Sequence, residues 1–445
     1  MNPILPTQNE VKEMFSQAGR ALISRPRIIV SPQIQSVAKM KQDADATKKL
    51  LDLIGLTIDR LFGGDMVRVA RWLGYSDTVL RWVQASPRLD SQNVLVRSDL
   101  YDDHGLLKIL ELNLGSSVGG LVEASLHAVV LKLPSVSGFV RKCEAEWLDV
   151  LKEWAWITAR SYLSHHSDPL LAFVESEFSM PGMQSTLNRM AAKFHEITGI
   201  RVMVCTPREL ERRNDGLYAS KGKVDVIYRL FDIEDLQRAP SEFEHILDAL
   251  ENRLVDMPMG ISSRIAGSKV MFALLSDPAY QVGFSEEDME WIRLHIPKTR
   301  LLTIGNKDYA LCKREQLLIK PADGYGGAGI ICGWKTSEAD WRVQIDSYLY
   351  SSSCEARAVV QERVNPSSGP VVIANEEGMV YEEQASFLWG CYLFGNRHIG
   401  HILRTKKTSD DSVINYTNGA AMGPVFYNKG GEGTDAREIT AHFMP

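Results

Sequence analysis

The sequence predicts an α/β (α+β) fold with three consecutive parts, and three features of the 445-residue chain support this prediction. In the N-terminal part, apolar residues recur every three or four positions, which is typical of amphipathic helices. In the centre, short apolar strands alternate with a helix, which indicates a β-α-β unit. From Leu317 to about residue 427 the chain is mainly strands with glycine-rich connections. We therefore divide the chain into an N-terminal helical region (1–165), a β-α-β domain (166–260) and a C-terminal part (261–445).

Composition and charge exclude several classes of function. Apolar residues make up 44% and charged residues 24%, as in globular proteins. The net charge of −6 disfavours nucleic-acid binding, which depends on neutralising phosphates. No apolar run approaches the roughly 20 residues of a membrane helix, and residues 1–12 lack the basic start and apolar core of a signal peptide. We expect a cytoplasmic protein without nucleic-acid or membrane partners.

Cysteine and histidine spacing predicts no zinc ribbon and no disulfide framework. The six cysteines lie at least 20 residues apart, and several stand within apolar strings. We expect reduced thiols, most of them in the core. The ten histidines form no His-Glu-x-x-His motif, and we interpret His165 and His166 as a surface pair.

Helices dominate the predicted N-terminal region. Residues 1–45 are expected to be irregular or partly helical. From Ala46, apolar positions three and four residues apart predict an amphipathic helix that ends at Gly63. A short helix is predicted over 66–73, and a long helix over 140–154, where tryptophans and aliphatic residues keep helical spacing.

The centre of the chain alternates between strands and helices. The predicted strands are 170–174, 200–205 and 224–228, and the predicted helices are 187–197, 243–256 and 285–295. This alternation favours a three-layer arrangement.

Residues 94–113 are predicted to form a β-hairpin, because two apolar strands flank a turn rich in Asp and Gly. Side chains alternate between faces, so Arg97 shares a face with Asp99, and Glu111 shares one with Asn113. If Arg97 pairs with Glu111 across the ladder, all four polar groups converge. The alternative is an exposed edge hairpin with an ordinary Arg97–Glu111 ion pair. The polar loop 115–120 that follows is suited to a substrate.

A glycine-rich loop follows a strand in the C-terminal part. Residues 324–329 match Gly-x-Gly-x-x-Gly, but 330–334 favour a strand, whereas a dinucleotide fingerprint opens a helix. No Gly-Lys-Ser/Thr closes the loop, so it is not a Walker A motif. We predict a strand–loop–strand lid (317–331) whose backbone lies against phosphates, with a plain glycine-rich hairpin as the alternative. The candidate phosphate-binding residues are Lys320, Gly324, Gly326, Gly327 and Gly329.

A β-branched strand over 358–364 contains Gln361 and Glu362. Such a strand is typical of an adenine hinge, where backbone groups read the base and a carboxylate reads the ribose. An edge strand with a solvated glutamate is the alternative. Taken together, Lys320-Pro321, the glycine lid and the Gln-Glu strand resemble the ATP-grasp superfamily, in which the nucleotide lies between two α+β lobes.

The Arg-x-Asp and Glu-x-Asn pairs, followed far downstream by Lys-Pro and a glycine lid, make the resemblance more specific. This order resembles glutathionylspermidine synthetase and its relatives, which are ATP-grasp carboxylate–amine ligases with a circularly permuted order. The resemblance implies ATP and Mg²⁺ as cofactors. It implies that Asp99, Glu111 and Asn113 hold the metal, and that Arg97 faces the reacting carboxylate or its acyl phosphate.

The same resemblance implies two further basic residues. A lysine that contacts phosphate opens a helix before the lid; Lys269 is the candidate and Lys313 its competitor. A late arginine lies near the acyl phosphate, and Arg404 matches it best. The alternative for Arg404 is an exposed basic loop with Lys406 and Lys407.

We therefore expect an ATP-dependent ligase that joins the carboxylate of an amino acid or peptide to an amine through an acyl phosphate and releases ADP and phosphate. The chain has no amidase domain with a cysteine nucleophile, and residues 165–260 show no glutathione-specific signature. The resemblance therefore extends to the reaction class only. It leaves the substrates open, and a carrier-bound amine is one alternative. The alternatives are phosphotransfer to an alcohol on the same fold and a non-catalytic ATP- or peptide-binding module. An NAD(P)-dependent oxidoreductase would need a helix and an acidic residue after the glycines. The oligomeric state stays open.

Overall fold

The computed structural model describes residues 6–22, 27–86, 89–281, 283–324, 327–350, 358–415 and 418–428. Helices are distributed along most of this length. They are α1 (Gln8–Leu22), α2 (Val37–Phe62), α3 (Met66–Trp72), α4 (Asp77–Ala85), α5 (Leu121–Ala124), α6 (His127–Val130), α7 (Pro134–Lys142), α8 (Val150–Thr158), α9 (Met180–Thr198), α10 (Ile233–Arg238), α11 (Pro240–Glu251), α12 (Ile261–Ala266), α13 (Val270–Ser276), α14 (Glu286–His295), α15 (Lys307–Cys312) and α16 (Glu338–Tyr350). Among the helices in these ranges, none is both long and apolar enough to cross a membrane.

The strands cluster at both ends of the chain and in its centre. They are β1 (Arg27–Ile29), β2 (Gln33–Ser36), β3 (Leu95–Asp103), β4 (Leu106–Leu114), β5 (Ala145–Glu146), β6 (Leu170–Val174), β7 (Arg201–Cys205), β8 (Glu211–Arg213), β9 (Gly216–Ala219), β10 (Gly222–Val224), β11 (Val226–Arg229), β12 (Thr299–Leu301), β13 (Leu317–Pro321), β14 (Ile331–Cys332), β15 (Ala358–Glu362), β16 (Ser368–Asn375), β17 (Val380–Phe394), β18 (Arg397–Lys407) and β19 (Ala421–Asn428).

The largest sheet joins early and late parts of the chain. Its strand order is β16-β1-β19-β18-β17-β3-β4, and β2 and β5 also pair with β19. Strand β3 runs antiparallel to β17, with Leu95 opposite Phe394 and Leu100 opposite Trp389. The hairpin of residues 94–113 therefore packs against a strand almost 300 residues further along the chain.

Helix α2 packs against this sheet with the apolar stripe that the sequence predicts. It ends at Gly63, whose φ of 66° makes a left-handed cap, as predicted. It begins at Val37 rather than Ala46, with the Ser36 side chain accepting a hydrogen bond from the backbone of Lys39 at 3.1 Å. The early turns bury the polar residue Asp43, which a search for apolar periodicity does not detect.

The single long helix predicted over 140–154 is wrong. Helix α7 ends at Lys142, the short strand β5 follows, and α8 begins only at Val150. Glu144 has a φ of 49°, which breaks the helix, and Asp149 caps α8 by accepting a hydrogen bond from the backbone of Lys152 at 3.1 Å. Helical spacing persisted across the break because both helices contribute buried residues.

The predicted β-α-β unit is present. Strands β7, β6 and β11 form a parallel sheet in that order. Helix α9 connects β6 to β7 and ends at Gly199, with a φ of 73°. It starts seven residues before the predicted Leu187, at Met180, just before Pro181 at its first turn. A small antiparallel sheet of β8, β9 and β10 stands beside it.

The C-terminal part contributes a second mixed layer. Its sheet has the order β12-β15-β13-β14, and α16 covers it with the fully buried side chain of Trp341. Strand β13 pairs antiparallel with β14, with Leu318 opposite Cys332. The glycine segment therefore connects two strands, as predicted, and does not open a helix.

Cysteines in the described ranges are free thiols. Cys205, Cys332 and Cys391 are buried, as expected, whereas Cys312 is exposed. Cys354 lies outside the described residues.

Candidate active site

The predicted polar residues of the hairpin share one face, but not in the predicted register. Asp99 is opposite Glu111 and Arg97 is opposite Asn113, so the expected Arg97–Glu111 pairing is wrong. Asp99 accepts a hydrogen bond from Arg97 Nε at 3.0 Å, and Glu111 accepts one from Asn113 Nδ2 at 3.2 Å. Asp99 is only 3% exposed, so this is not a solvated surface face.

A β-bulge produces this arrangement. The two-residue turn places Asp103 opposite Leu106, and an uninterrupted ladder from there would put Leu110 opposite Asp99. Glu111 would then point to the other face. Instead the register shifts after Asp99 and leaves Leu110 unpaired, which brings Glu111 to the face of Asp99.

Strands β17 and β18 provide further neighbours of Asp99. Arg404 lies on β18, is 7% exposed and donates a hydrogen bond to Asp99. The alternative of an exposed basic loop is therefore wrong. Gly390, opposite Asp99 on β17, makes room for the side chains of Arg97 and Ile402, because a Cβ there would lie 3.3 Å from Arg97 Cδ and 2.6 Å from a methyl group of Ile402.

Two lysines approach Glu111 from the C-terminal part. Lys320 on β13 is 5% exposed, and its ammonium group donates a hydrogen bond to the carbonyl oxygen of Leu110 at 3.0 Å. Lys269 stands at the N-cap of α13, as predicted, with Nζ 3.6 Å from Glu111 Oε2 and a hydrogen bond to the carbonyl oxygen of Gly324. Lys313, the competitor, is exposed at the end of α15.

The electrostatics of this cluster favour a bound polyanion. Burial alone would raise the pKa of Glu111, but Lys269 and Lys320 outweigh it and hold that pKa well below its usual range. Burial lowers the pKa of Lys320 to about 8, although Glu111 opposes this shift. With Arg97 and Arg404 included, the basic side chains outnumber the carboxylates Asp99 and Glu111.

A cavity of about 340 Å³ opens between the large sheet and the β12–β15 sheet; we call it the hinge cavity. Its walls include the residues Arg97, Asp99, Glu111, Leu318, Lys320, Gly327, Gln361, Glu362 and Arg404. Gln361 is 2% exposed and uses its side-chain amide to bond Thr299 Oγ1 at 3.0 Å. Glu362 is exposed at the end of β15. The Gln361 side chain thus holds β15 in its sheet, while the carboxylate of Glu362 lines the hinge cavity.

The glycine loop covers one side of the hinge cavity, and three of its four predicted glycines are described. Gly327 has a φ of 72°, and a Cβ there would lie 2.4 Å from Asn415 Nδ2. Gly329 has a φ of 71°, and a Cβ would lie 2.7 Å from Pro321. A Cβ at Gly324 would meet a backbone oxygen at 2.9 Å. The predicted Gly326 lies outside the described residues.

Sequence analysis missed part of the hinge cavity. Asp410, Asp411 and Asn415, which follow β18, also line it. Lys406 pairs with Asp410 at 2.9 Å and holds the pKa of that carboxyl well below its usual range, and Lys335 lies 3.0 Å from Asp411. No regular spacing marks these residues because a loop, rather than a strand face, positions them.

A second cavity, of about 550 Å³, lies on the other side of Glu111; we call it the acidic cavity. The predicted loop 115–120 forms one wall, and its Gly119 carbonyl accepts hydrogen bonds from Arg97 at 2.8 Å and from Tyr392 at 2.9 Å. Asn113 and Gly324 also line it. Its charged lining residues are Glu111, Glu123, Glu175, Asp232, Asp235, Arg264 and Lys269.

Glu175 is the acid in this cavity that the sequence did not identify. It follows β6 directly, is 7% exposed, and accepts a hydrogen bond from the backbone of Ser176 at 2.7 Å. No basic nitrogen of the described chain lies within 4.0 Å of its carboxylate, and burial raises the pKa of Glu175 to about 7. Its position at the carboxyl end of a parallel strand is the signal that could have identified it.

Comparisons with known proteins support the fold. The sequence matches no protein-family model and no curated protein. Among solved structures, a glutathione-synthetase-like effector from Globodera pallida in its apo form aligns over 94% of this chain and 96% of its own, with 13% identity and a TM-score of 0.61. This likeness supports a mixed helix-and-strand fold over nearly the whole chain.

Two further solved structures are more distant. A putative gamma-glutamylcysteine synthetase from Methylobacillus flagellatus aligns over 85% of this chain and 86% of its own, with 12% identity and a TM-score of 0.45. D-alanyl-alanine synthetase A from Vibrio cholerae aligns over 50% of this chain and 67% of its own, with 12% identity and a TM-score of 0.27. The fold assignment rests on the effector.

Proposed function

We propose that this protein is an ATP-dependent ligase of the ATP-grasp type that joins a carboxylate to an amine through an acyl phosphate. The observation that supports it best is the position of Glu111. This carboxylate lines both cavities and lies beside the ammonium groups of Lys269 and Lys320. A ligase needs a nucleotide site and an acceptor site next to each other, because the substrate carboxylate first accepts the phosphoryl group and is then attacked by the amine.

The hinge cavity and the adjoining part of the acidic cavity, which Asn113 and Lys269 line, are suited to a nucleotide with Mg²⁺. Asp99, Glu111 and Asn113 offer side-chain oxygens on one face, and Mg²⁺ prefers such ligands. ATP would supply the phosphoryl group that turns a carboxylate oxygen into a good leaving group, and Mg²⁺ would neutralise charge on the phosphates. Lys269 and Lys320 then hold the phosphates by charge.

The glycine loop and the strand end complete the nucleotide site. The backbone around Gly324, Gly327 and Gly329 is bare enough to lie against phosphates, and Gly326 belongs to the same segment. Strand β15 presents its backbone and Glu362 to the base and ribose. Closure of this loop would exclude water, which would otherwise hydrolyse an acyl phosphate.

Two arginines are suited to the acyl group. Arg97 and Arg404 both contact Asp99, and Arg404 Nε is buried with no hydrogen-bond partner in the described structure. A guanidinium can bind two oxygens of a carboxylate or acyl phosphate in one plane. Arg97 also reaches Gly119, at the border of the acidic cavity, where the amine would arrive.

The acidic cavity is suited to an amine that carries positive charge. Five carboxylates and two basic residues line it. Glu175 has no basic partner there within ion-pair distance, so an ammonium group would gain a partner without displacing one. The substrate class that we propose is therefore an amino acid or peptide carboxylate with an amine as acceptor that binds in its ammonium form and loses that proton before it attacks.

Chain order supports a circular permutation. The hairpin that carries Asp99 and Glu111 precedes the glycine loop by some 200 residues, yet Lys320 contacts that hairpin. We propose that the metal-binding hairpin (94–113) within 1–165 and the lobes of 261–445 form the nucleotide site, and that 166–260 contributes to substrate binding.

Incubation with ATP, Mg²⁺, amino-acid pools and hydroxylamine tests the proposal. Formation of a hydroxamate together with ADP and phosphate supports it. Glu111→Gln should lower this turnover by about 100-fold or more, because the metal that neutralises the phosphates loses a negatively charged ligand. Glu377→Gln, an exposed acid on the β16–β17 turn, is the control and should be unaffected. AMP with pyrophosphate, phosphotransfer to an alcohol, or ATP binding without turnover would each overturn it.

A further inference from the structure

Strands β17 and β18 carry a second cluster on their other face. Ser98 lies between Arg97 and Asp99 on β3, so it points away from the hinge cavity, and it contacts Thr47 of α2 at 2.6 Å. Cys391 is the ladder partner of Ser98 on β17 and of His401 on β18. This side of the sheet is therefore covered by α2 and is buried.

Three ligand-type side chains meet there. The candidate ligand atoms of Cys391, His398 and His401 all lie within 4.8 Å of one another. His398 Nε2 and His401 Nδ1 are 3.0 Å apart. The exposed fractions are 0% for Cys391, 7% for His398 and 3% for His401.

A β-bulge brings the two histidines together. Residues three apart on a regular strand point to opposite faces. Here Gly400 is opposite Tyr392 and His398 is opposite Leu393, so one extra residue is inserted in β18. Gly400 has a φ of 135°, which accommodates the irregularity. Bulges commonly redirect a side chain in this way.

The cluster contains two polar atoms without partners. His401 Nε2 lies 3.4 Å from Asp43 Oδ2 on α2, and neither atom makes a hydrogen bond in the described structure. The exposed fraction of Asp43 is 0%. A buried carboxylate oxygen and a buried imidazole nitrogen left in this state cost free energy. A cation bound to His401 Nδ1 would remove that cost, because it keeps the proton of this ring on Nε2, where it faces Asp43.

We propose that Cys391 Sγ, His398 Nε2 and His401 Nδ1 bind a zinc ion. Zinc takes thiolate and imidazole ligands. With Nδ1 on the metal, the Nε2–H of His401 points its proton toward Asp43, and a carboxylate commonly orients a metal-bound histidine in this way. The Cys391 thiol loses its proton to solvent when the metal binds.

The zinc site has a structural role distinct from the ligase chemistry. Its three ligands stand on β17 and β18, whose opposite face carries Arg404, and Asp43 belongs to α2. The metal therefore links β17 to β18 behind the hinge-cavity wall, and the contact of His401 with Asp43 joins α2 to this metal-bound histidine. Because the site is enclosed, the ion enters while the chain folds.

The first test is the metal content of protein produced in zinc-supplemented medium. We expect about one zinc per wild-type chain, and less than about a tenth of that in Cys391→Ser and His398→Ala. Cys205→Ser is the matched control, because Cys205 is another fully buried thiol, on β7, outside the cluster; it should retain its zinc. Wild-type protein without zinc, or Cys391→Ser with a full complement, would overturn the proposal.

A second measurement covers the case in which a variant does not fold. Wild-type protein produced in cobalt-supplemented medium should show a sulfur-to-cobalt charge-transfer band, which requires a thiolate ligand. The proposed Mg²⁺ site offers only oxygen ligands, so Glu111→Gln should keep the band. Cobalt-grown wild-type protein without the band would show that Cys391 binds no metal.

Discussion

Lys320 donates a hydrogen bond to the carbonyl oxygen of Leu110 at 3.0 Å, although 210 residues separate the two in the chain. Leu110 is the extra residue of the bulge in the β3–β4 ladder and has no opposite residue on β3. The bulge at Leu110 therefore has two effects on the site. It turns Glu111 toward Asp99, and it leaves an acceptor that holds Lys320 beside Glu111 before any ligand arrives.

The first prediction concerns proton uptake when ATP-Mg²⁺ binds. Burial lowers the pKa of Lys320 to about 8. A triphosphate stabilises the charged ammonium and raises that pKa, so binding near pH 8 should take up about half a proton, and affinity should decrease as the pH rises through 8. Calorimetry in buffers with different ionisation enthalpies measures the uptake.

Lys320→Arg is the matched control for this measurement. It keeps the positive charge, but an arginine does not lose its proton in this pH range. The variant should bind ATP-Mg²⁺ with no proton uptake at pH 8. Equal uptake in the variant and the wild type would assign the proton to another group.

The second prediction concerns the stability contribution of Asp99. Its carboxylate lies between the buried guanidinium groups of Arg97 and Arg404. Asp99→Asn removes the carboxylate that both cations contact and should lower the free energy of unfolding by about 3–5 kcal/mol. Urea denaturation measures it. Asp215→Asn, at an exposed ion pair with Lys223, should change it by less than about 1 kcal/mol, and equal effects would argue against a buried ion-pair network.

Local patterns in the sequence predicted a considerable part of this site. Helix α2 with its glycine cap and the strand–loop–strand arrangement around Gly327 both depend on residues close together in the chain, whereas the helix start at Lys269 was expected from the family resemblance. The face shared by Arg97 and Asp99 follows from strand alternation alone. The contact between the hairpin and β17 joins segments almost 300 residues apart, and no local pattern encodes it.

The features that were missed depend on irregular backbone or on distant segments. Alternation defines a face but not a register, so the bulge that pairs Asp99 with Glu111 could not be predicted. A second bulge brings His398 beside His401, where regular spacing would separate them. Glu175 is a single acid in sequence and gains its significance only when a cavity forms around it.

The third prediction concerns the glycine loop. Gly327→Ala would place a methyl group 2.4 Å from Asn415 Nδ2 at a φ of 72°. We expect ATP-Mg²⁺ affinity to decrease about tenfold, since the loop must shift to relieve the contact, with about 1 kcal/mol lost in stability from the backbone. Gly199→Ala has a similar φ of 73° and open space, so it should lose stability but not affinity. Fluorescence titration with ATP-Mg²⁺ compares the two, and unchanged affinity in Gly327→Ala would place the nucleotide elsewhere.

The fourth prediction concerns Glu175, whose pKa burial raises from 4.5 to about 7. An acid whose pKa is raised on folding favours the protonated folded state. Its contribution to stability is therefore complete below pH 4.5 and is lost as the pH rises to 7. Glutamine imitates the protonated acid at every pH, so Glu175→Gln should raise the melting temperature, and the gain should grow between pH 5 and pH 8. Thermal unfolding across this range measures it.

The same variant separates substrate binding from stability. If Glu175 holds a cationic amine, Glu175→Gln should keep hydroxamate formation, because hydroxylamine is uncharged at pH 7.5, but it should lose amide formation with a cationic acceptor by about tenfold or more. Glu234→Gln is the matched control: burial also raises the pKa of Glu234, whose Oε2 has no hydrogen-bond partner in the described structure, but this residue does not line the acidic cavity. It should gain stability without losing amide formation. Equal losses of amide formation in both variants would mean that the effect is not specific to the cavity, and the acidic cavity would then not be the amine site.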